Sequence, residues 1–549
     1  MNDVEYRGLD DESRQMVVET VRQLRKKLLP QKEILAWDEQ EVFPETTVRE
    51  LLGPEIGLQL LFIPEKYGGM SGGARDCCAV TREMSKICLG VATAFFAIQL
   101  GSDPILVGAT YEQKKKWLGR IGEGDTLVAY AVTESEAGSN LAALKTKADP
   151  VTDESGRITA YKINGSKQFI STGGYADIVT VLAIAPEGPS FFVVEKGTEG
   201  FIQHKGEEKH GIRASNTSPL TFDDVVVPVE NLIGDEPGLG LKQANQVFGY
   251  TRLMVASMGL GAGLAAIEIA VPYAKERIQF GTPLCQKQGY THKLIVPNVV
   301  RLAAADAYID EVSLQLDTTA HDLQVEGAIA KYFATESADK AANDCMQALG
   351  GYGYIREFEV EKIKRDVKIT CIYEGTSEIL QSIISTFRWK VTRKSKGGFY
   401  GAIAQEMAAL DKEAGDAGCR FYGLAATALN GAIDFAHDHR LVRQQAVMFA
   451  LSDMMTHVEV GAALARKAVL QTRSGDGEAQ KTRAMARVFA GEVACLVGEN
   501  ALKIVSAANV ADQDTVERFL SAIGYQALLC SRLDWARDMD QVADIIFDR

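Results

Sequence analysis

The chain has 549 residues, a net charge of −14 and 46% hydrophobic residues. That length exceeds a single core and implies several packed domains; the acidic balance excludes a broad nucleic-acid surface, and the ordinary charged fraction excludes global disorder. Nine scattered cysteines without a CxxC pair suit buried thiols in a reducing compartment. With no leader-like stretch in view, the expectation is a bacterial cytoplasmic protein, or a mitochondrial matrix protein after processing.

Residues 1–125 read as helical. DDESRQMVVETVRQLRKKLLP opens with acids and closes with bases and a proline, the order a helix dipole favours. IPEKYGGMSGG is a loop by its glycines, and CCAVTREMSKICLGVATAFFAIQLGSDPILV resumes helical spacing. The basic run QKKKWLGR (113–120) reads as a solvated helix face. From 126 to 237 the texture turns to β: DIVTVLAIA, SFFVVEK and LTFDDVVVPVE are strand-like, and Asn164-Gly165 inside RITAYKINGSKQFIST is a hairpin signal. Long helices return from 238 to 390. The apolar stretch LMVASMGLGAGLAAIEIAVPYAKER suits a helix buried among helices better than a lipid span. RKSKGGFYG (393–401) reads as a linker. The rest, 391–549, reads as three to five more helices with breaks at RSGDGEAQ and AANVADQD, and no internal repeat is evident.

Five stretches can carry chemistry. YAVTESEAGSN (130–140) offers hydroxyls, acids and amides that can hold a pyrophosphate, though alone it reads more readily as a turn. In KQFIST (167–172), Phe169 can cover an aromatic ring and Ser171 can bond a ring heteroatom; an ordinary strand is the blander reading. In RIQFGTPL (277–284), Arg277 is a forked phosphate donor and Phe280 an aromatic face, or the stretch is only a helix C-terminus. QALGGYGYIRE (347–357) pairs glycines that let a ligand approach, or forms a tight turn; it is no Rossmann fingerprint.

IYEGTSEIL (372–380) sets Glu374 between an aromatic residue and a glycine at a helix start. Acids are common there because the dipole stabilises them. A proton-abstracting acid needs more: a water-poor site that brings its pKa toward the working pH, and donors for the charge it creates. His437 and His439, on a helix, diverge by about 200°, which argues against a metal site. HExxH, Walker A and GxSxG patterns are missing.

Order and spacing add what single stretches lack. Through EQKKKWLGRIGEGDTLVAYAVTESEAGSN, YKINGSKQFISTGGYADI, NLIGDEPGLGLKQA, AKERIQFGTPL, QALGGYGYIRE and IYEGTSEIL, about residues 10–388 resemble the flavin-dependent acyl-CoA dehydrogenase family. The resemblance implies an α+β, mainly α, fold: an N-terminal helical domain (1–125), a central β-barrel-like domain (126–237), a C-terminal four-helix domain (238–390) and an extra helical domain (391–549). It implies FAD as cofactor. Tyr130, Val132 and Thr133 then meet the flavin edge, Ser139 the pyrophosphate and the CoA ester, and Phe169, Ile170 and Ser171 the isoalloxazine. Arg277, Phe280 and the run Gln347, Ala348, Leu349, Gly350, Gly351 contact the FAD of a neighbouring subunit, and Thr376 and Glu378 complete that site. For an acyl-CoA substrate it implies Arg252, Tyr373 and Gly375, with Phe95 and Phe96 at the end of the acyl pocket, and Glu374 as the base.

The implied reaction makes a 2,3-enoyl-CoA and passes electrons to electron-transfer flavoprotein. An acyl-CoA oxidase and a non-enzymatic assembly partner of the same fold are the alternatives. Ser135 and Asn140 depart from the family pattern without changing the loop's polarity. Gly249 stands where relatives carry an acid, Gln381 where many carry an arginine, and Pro272 inside a helix predicts a kink. The extra domain resembles the very-long-chain branch, so a homodimer is expected, with no stable membrane insertion, nucleic acid or metal.

Overall fold

The computed structural model describes residues 8–319, 323–508 and 512–549, so part of the expected AANVADQD break lies outside the described residues. These form two compact units. One runs to Ala262 and takes in the stretches that begin at Ser313 and Arg365; the other holds the rest.

The first unit opens with α1 (Asp11–Lys27), α2 (Gln31–Gln40), α3 (Glu45–Leu52), α4 (Ala74–Ile87), α5 (Leu89–Gly108) and α6 (Tyr111–Gly122). Local chemistry sets their ends. The Asp10 carboxylate accepts from Ser13 N at 2.7 Å to start α1, and Thr110 and Gln113 exchange hydrogen bonds in a capping box before α6. Within QKKKWLGR only Trp117 and Leu118 are buried, so that run is a solvated face.

A seven-stranded sheet follows, built from β1 (Val128–Ala131), β2 (Lys147–Thr152), β3 (Ile158–Ser171), β4 (Ile178–Ala185), β5 (Gly188–Glu195), β6 (Phe201–Gln203) and β7 (Thr217–Pro228). β5 takes one edge of β4. The other edge is shared end to end: β1 lies parallel along Ile178–Val181, and Lys147 of β2 pairs only at Ile184. β3 is antiparallel to both β2 and β7.

The structure corrects the hairpin reading. Asn164-Gly165 is no turn but the middle of the 14-residue β3. The turn lies earlier, where the Asp153 carboxylate accepts from Ser155 N and Arg157 N. Gly165 is needed for another reason: its φ is 150°, the register with β7 shifts there, and a Cβ would stand 2.8 Å from Thr146 Cα.

In the helical remainder, α7 (Gly240–Glu276) persists through Pro272 and gives way to a two-stranded hairpin, β8 (Ile278–Gln279) and β9 (Thr282–Pro283). The one-turn α8 (Gln288–Tyr290) continues through a π turn into α9 (Val296–Thr318), followed by α10 (Gln324–Ala348), α11 (Val360–Val367) and α12 (Ser377–Lys394). Beyond lie α13 (Gly398–Asp411), α14 (Cys419–Asp438), α15 (Gln445–Ser474), α16 (Ala479–Ser506), α17 (Gln513–Ala522), α18 (Tyr525–Leu529) and α19 (Trp535–Phe547). Three to five helices were expected there; the described residues form seven, because short turns at 412–418 and after 522 divide what composition alone reads as continuous. Among the described residues, three helices (α5, α7 and α15) are long and apolar enough to cross a membrane, yet 89%, 72% and 78% of their most apolar windows are buried within the protein.

If Gly165 serves close approach and not a turn, Gly165→Ala lowers stability by about 1–3 kcal/mol. Thermal unfolding of the purified protein measures this, and an unchanged midpoint contradicts it.

Candidate active site

The residues implied by the resemblance divide between the two units. In the first, the sheet opens where β1 ends and β2 has not begun, and residues 132–146 leave it as a loop. Glu134 anchors that loop. Its buried carboxylate accepts from Lys145 N (2.7 Å), Thr146 N (3.0 Å), Thr146 Oγ1 (2.5 Å) and Lys167 Nζ (2.8 Å). Lys167 is itself fully buried and also donates to Val132 O. Burial alone would raise the Glu134 pKa, but the bonds from Lys167 and Thr146 and the lysine charge outweigh it and hold the group below its ordinary value. Burial pushes Lys167 down to about 8 against the pull of Glu134.

With the loop fixed, Gln168 N donates to Thr133 O at 2.9 Å, which joins two of the predicted stretches. The next residue, Phe169, lies in a bulge of β3 at φ 60° and is 62% exposed. A bulky residue in the left-handed region is an outlier, and a bulge re-aims its side chain. Ile170 is buried, and the buried Thr172 hydroxyl beyond Ser171 has no hydrogen-bond partner among the described residues. Tyr130 packs against Phe191 and Phe248, and the guanidinium of the buried Arg252 lies 5.9 Å from the Phe248 ring. Val132 is buried, whereas Ser139 is exposed at the outer end of the loop. Phe95 and Phe96 are buried on α5 in an edge-to-face pair, with Phe62 beside Phe95.

In the second unit, Glu374 sits three residues ahead of α12. Thr376 caps that helix, accepting from Ile379 N, and Glu378 is the acid of its first turn. Glu374 therefore lies outside the first helical turn, ahead of the cap. Its φ is 56° and that of Gly375 is 97°. The pair is pinned by Lys331, fully buried on α10, whose Nζ donates to Gly375 O at 2.6 Å. Tyr373 is half-buried beside them.

Arg277 ends the α7 segment and lies 5.8 Å from the Tyr352 ring. The structure thus brings Arg277 to the glycine-rich stretch after Gln347, whose Ala348 carbonyl is held by Tyr290 Oη at 3.2 Å. Leu349 is buried, and Gly350 and Gly351 face open space. Phe280 and Gly281 form the β8–β9 turn with φ 50° and 81°, and Phe280 is 97% exposed. Such turns favour small residues, and the Phe280 ring there has Lys287 Nζ 5.9 Å from its centroid. His437 packs against Trp389 while His439 stacks on Phe435.

Glu134, Lys167 and Lys331 escaped the sequence reading. A signal existed for Lys167: it shares the inward phase of β3 with Tyr161 and Ile163, where a lysine demands a buried partner. None marks Lys331.

Profiles of the acyl-CoA dehydrogenase N-terminal, middle and C-terminal domains match residues 11–125, 129–225, and 238–387 together with 402–528. An acyl-CoA dehydrogenase of Bacillus subtilis (strain 168) is 38% identical over 370 residues, 66% of this chain and 94% of its own. The solved acyl-CoA dehydrogenase of Bacillus anthracis complexed with FAD superposes with a TM-score of 0.85 at 25% identity, covering 98% of this chain and 96% of that one. A chain in the solved electron transferring flavoprotein structure of Acidaminococcus fermentans gives a TM-score of 0.64 at 32% identity, over 69% and 98%. The chain belongs to the acyl-CoA dehydrogenase family. The C-terminal profile matches twice, so the last 150 residues or so carry a second stretch of the same helical type, which the sequence reading missed.

Removing one partner of the buried Glu134–Lys167 pair should cost about 3–5 kcal/mol. The sign with pH follows from Glu134: its folded pKa lies below the unfolded value of about 4.3, so its contribution is present above that pH and is lost as pH falls through the folded value. Urea titrations from pH 7 to 3 should show Glu134→Gln already destabilised at pH 7 and with a shallower acid limb; parallel curves for variant and wild type contradict the assignment.

Proposed function

We propose that this protein is an FAD-dependent acyl-CoA dehydrogenase in which Glu374 removes the α-proton of an acyl-CoA thioester. The observation that carries the reading is Glu374 itself: a carboxylate held in left-handed backbone just ahead of the α12 cap, with its neighbour fixed by a buried lysine, in a chain of this family. Strain of this kind, about 1–3 kcal/mol per residue, is kept where function requires it.

The residues present suit FAD. An exposed ring at Phe169, an orphan hydroxyl at Thr172 and the amide-bearing loop at 133–140 suit a flavin and its phosphates; Arg277, Phe280 and the open glycines suit an adenosine diphosphate end. FAD, when bound, supplies the acceptor for the β-hydride. Glu374 takes the α-proton onto its carboxylate, the α C–H pair becomes the new C=C bond, and the β-hydrogen departs with its own electron pair, leaving a 2,3-enoyl-CoA. The Glu374 N–H serves as a donor to the thioester oxygen, a contribution of about 10²–10³ in rate. Ser139, Arg252, Tyr373 and Gly375 hold the thioester and CoA chain, with Phe95 and Phe96 closing the acyl end.

Electrons pass to electron-transfer flavoprotein; the Acidaminococcus fermentans neighbour supports this reading. The full exposure of Phe280 supports a second copy of the chain at that end of the cofactor, with a dimer expected.

Anaerobic titration of the holoenzyme with straight, branched, dicarboxylic and alicyclic acyl-CoA esters tests the reading. At least one ester should bleach the flavin, and Glu374→Gln should abolish the bleaching; retained bleaching overturns the base assignment. Rapid re-oxidation by dissolved oxygen, without electron-transfer flavoprotein, would instead mark an oxidase. Phe96→Ala should shift the preference toward bulkier acyl groups, and an unchanged profile across the panel removes Phe96 from the pocket.

A further inference from the structure

Asp453 lies on α15, in the stretch beyond residue 391, yet its carboxylate is one joint away from the Glu374 turn. Asp453 Oδ1 accepts from Tyr332 Oη at 2.7 Å and from Gln381 Nε2 at 2.9 Å, and Gln381 Nε2 is 3.0 Å from Tyr332 Oη. Tyr332 adjoins Lys331, whose ammonium holds Gly375 O. Gln381 is one turn beyond Ser377, whose hydroxyl donates to Glu336, itself one turn along α10 from Tyr332. The turn that carries Glu374 is thus gripped by α10 through Lys331 and Glu336, and the Asp453 carboxylate locks α10 to α12. Burial, with the Asp453 charge, pushes the Tyr332 hydroxyl well above its ordinary pKa, so it stays a donor.

A second contact holds α15 in place without Asp453. Seven residues along α12, Arg388 makes two hydrogen bonds of 2.8 Å to Glu459 and one to Glu326, and Tyr400 Oη donates to Glu459. Arg388 therefore ties α12 to α15 independently of the Asp453 carboxylate.

We propose that Asp453 is a positioning residue for the base: through Tyr332 and Gln381 it sets the α10–α12 joint that fixes the Glu374–Gly375 turn, making the C-terminal stretch a working part of the site. The proposal rests on Glu374 being the base. It gives Gln381, which replaces an arginine frequent in relatives, a defined task as the neutral donor that shares one carboxylate oxygen with a tyrosine.

The test uses the full-length holoenzyme and the ester that reduces the wild type fastest, protiated and dideuterated at the α-carbon. Asp453→Ala should raise hydrogen exchange across 372–379. It should lower the limiting rate of reduction about 10- to 100-fold and enlarge the α-deuterium isotope effect, with KM and FAD content within about twofold of wild type, an interaction lost only at the transition state. Asp453→Asn, whose amide oxygen still accepts both bonds, should recover most of the rate. Wild-type exchange and rate in Asp453→Ala overturn the proposal, as does an Asn variant no better than Ala. If Asp453→Ala fails to fold, Tyr332→Phe carries the test, with the same direction expected and an unchanged rate fatal. Glu374→Gln runs beside them. If it is inactive while Asp453→Ala is normal, only the positioning role fails; if it is fully active, the base assignment fails and takes this proposal with it.

Discussion

The backbone at Glu374 and Gly375 is the constraint on which the proposed chemistry depends. A side-chain-bearing residue rarely occupies φ 56°, and it does so here beside a glycine that takes φ 97°. The conformation persists because its surroundings over-determine it. Thr376 starts α12 immediately afterwards, Lys331 fixes the intervening carbonyl from α10, and Ser377 reaches Glu336 on the same helix. The acid is thereby placed ahead of the α12 cap instead of within the first helical turn.

The first unit solves a related problem by different means. The loop at residues 132–146, proposed to meet the flavin, needs a rigid support, and that support is one buried carboxylate where the sheet divides. Glu134 satisfies two backbone amides, a hydroxyl and a buried ammonium at once. Buried charge of this sort adds little net stability, but a missing partner is costly. The arrangement therefore favours a single loop geometry, and it is from this frame that the Phe169 bulge projects.

Much of this was legible in the sequence, for identifiable reasons. The first helix was readable because end-charge chemistry is local, acids opening it and bases closing it, and the strands of the sheet were readable from their apolar runs. Asn164-Gly165 misled because the dipeptide has two uses. The composition of a turn and of a bulge is the same, and only the approach of Thr146 decides between them. The helix count beyond 391 failed because brief breaks carry little compositional signal. Glu374 was singled out by motif, but its conformation was not legible, since a positive φ at a glutamate has no sequence signature. Lys331 and Asp453 were invisible for a deeper reason: each acts on residues tens of positions away, and one sequence does not place such segments side by side.

The most direct measurement of the central claim separates proton removal from hydride transfer. A 3-thiaacyl-CoA retains acidic α-protons but has sulfur at the β-position and no hydride to give. Incubated with the holoenzyme in D2O and followed by mass spectrometry, it should gain deuterium at C2 with the wild type. Glu374→Gln should slow that exchange at least about 100-fold, within the range a positioned base contributes. Exchange at the wild-type rate in Glu374→Gln would show that another group removes the proton and would contradict the account.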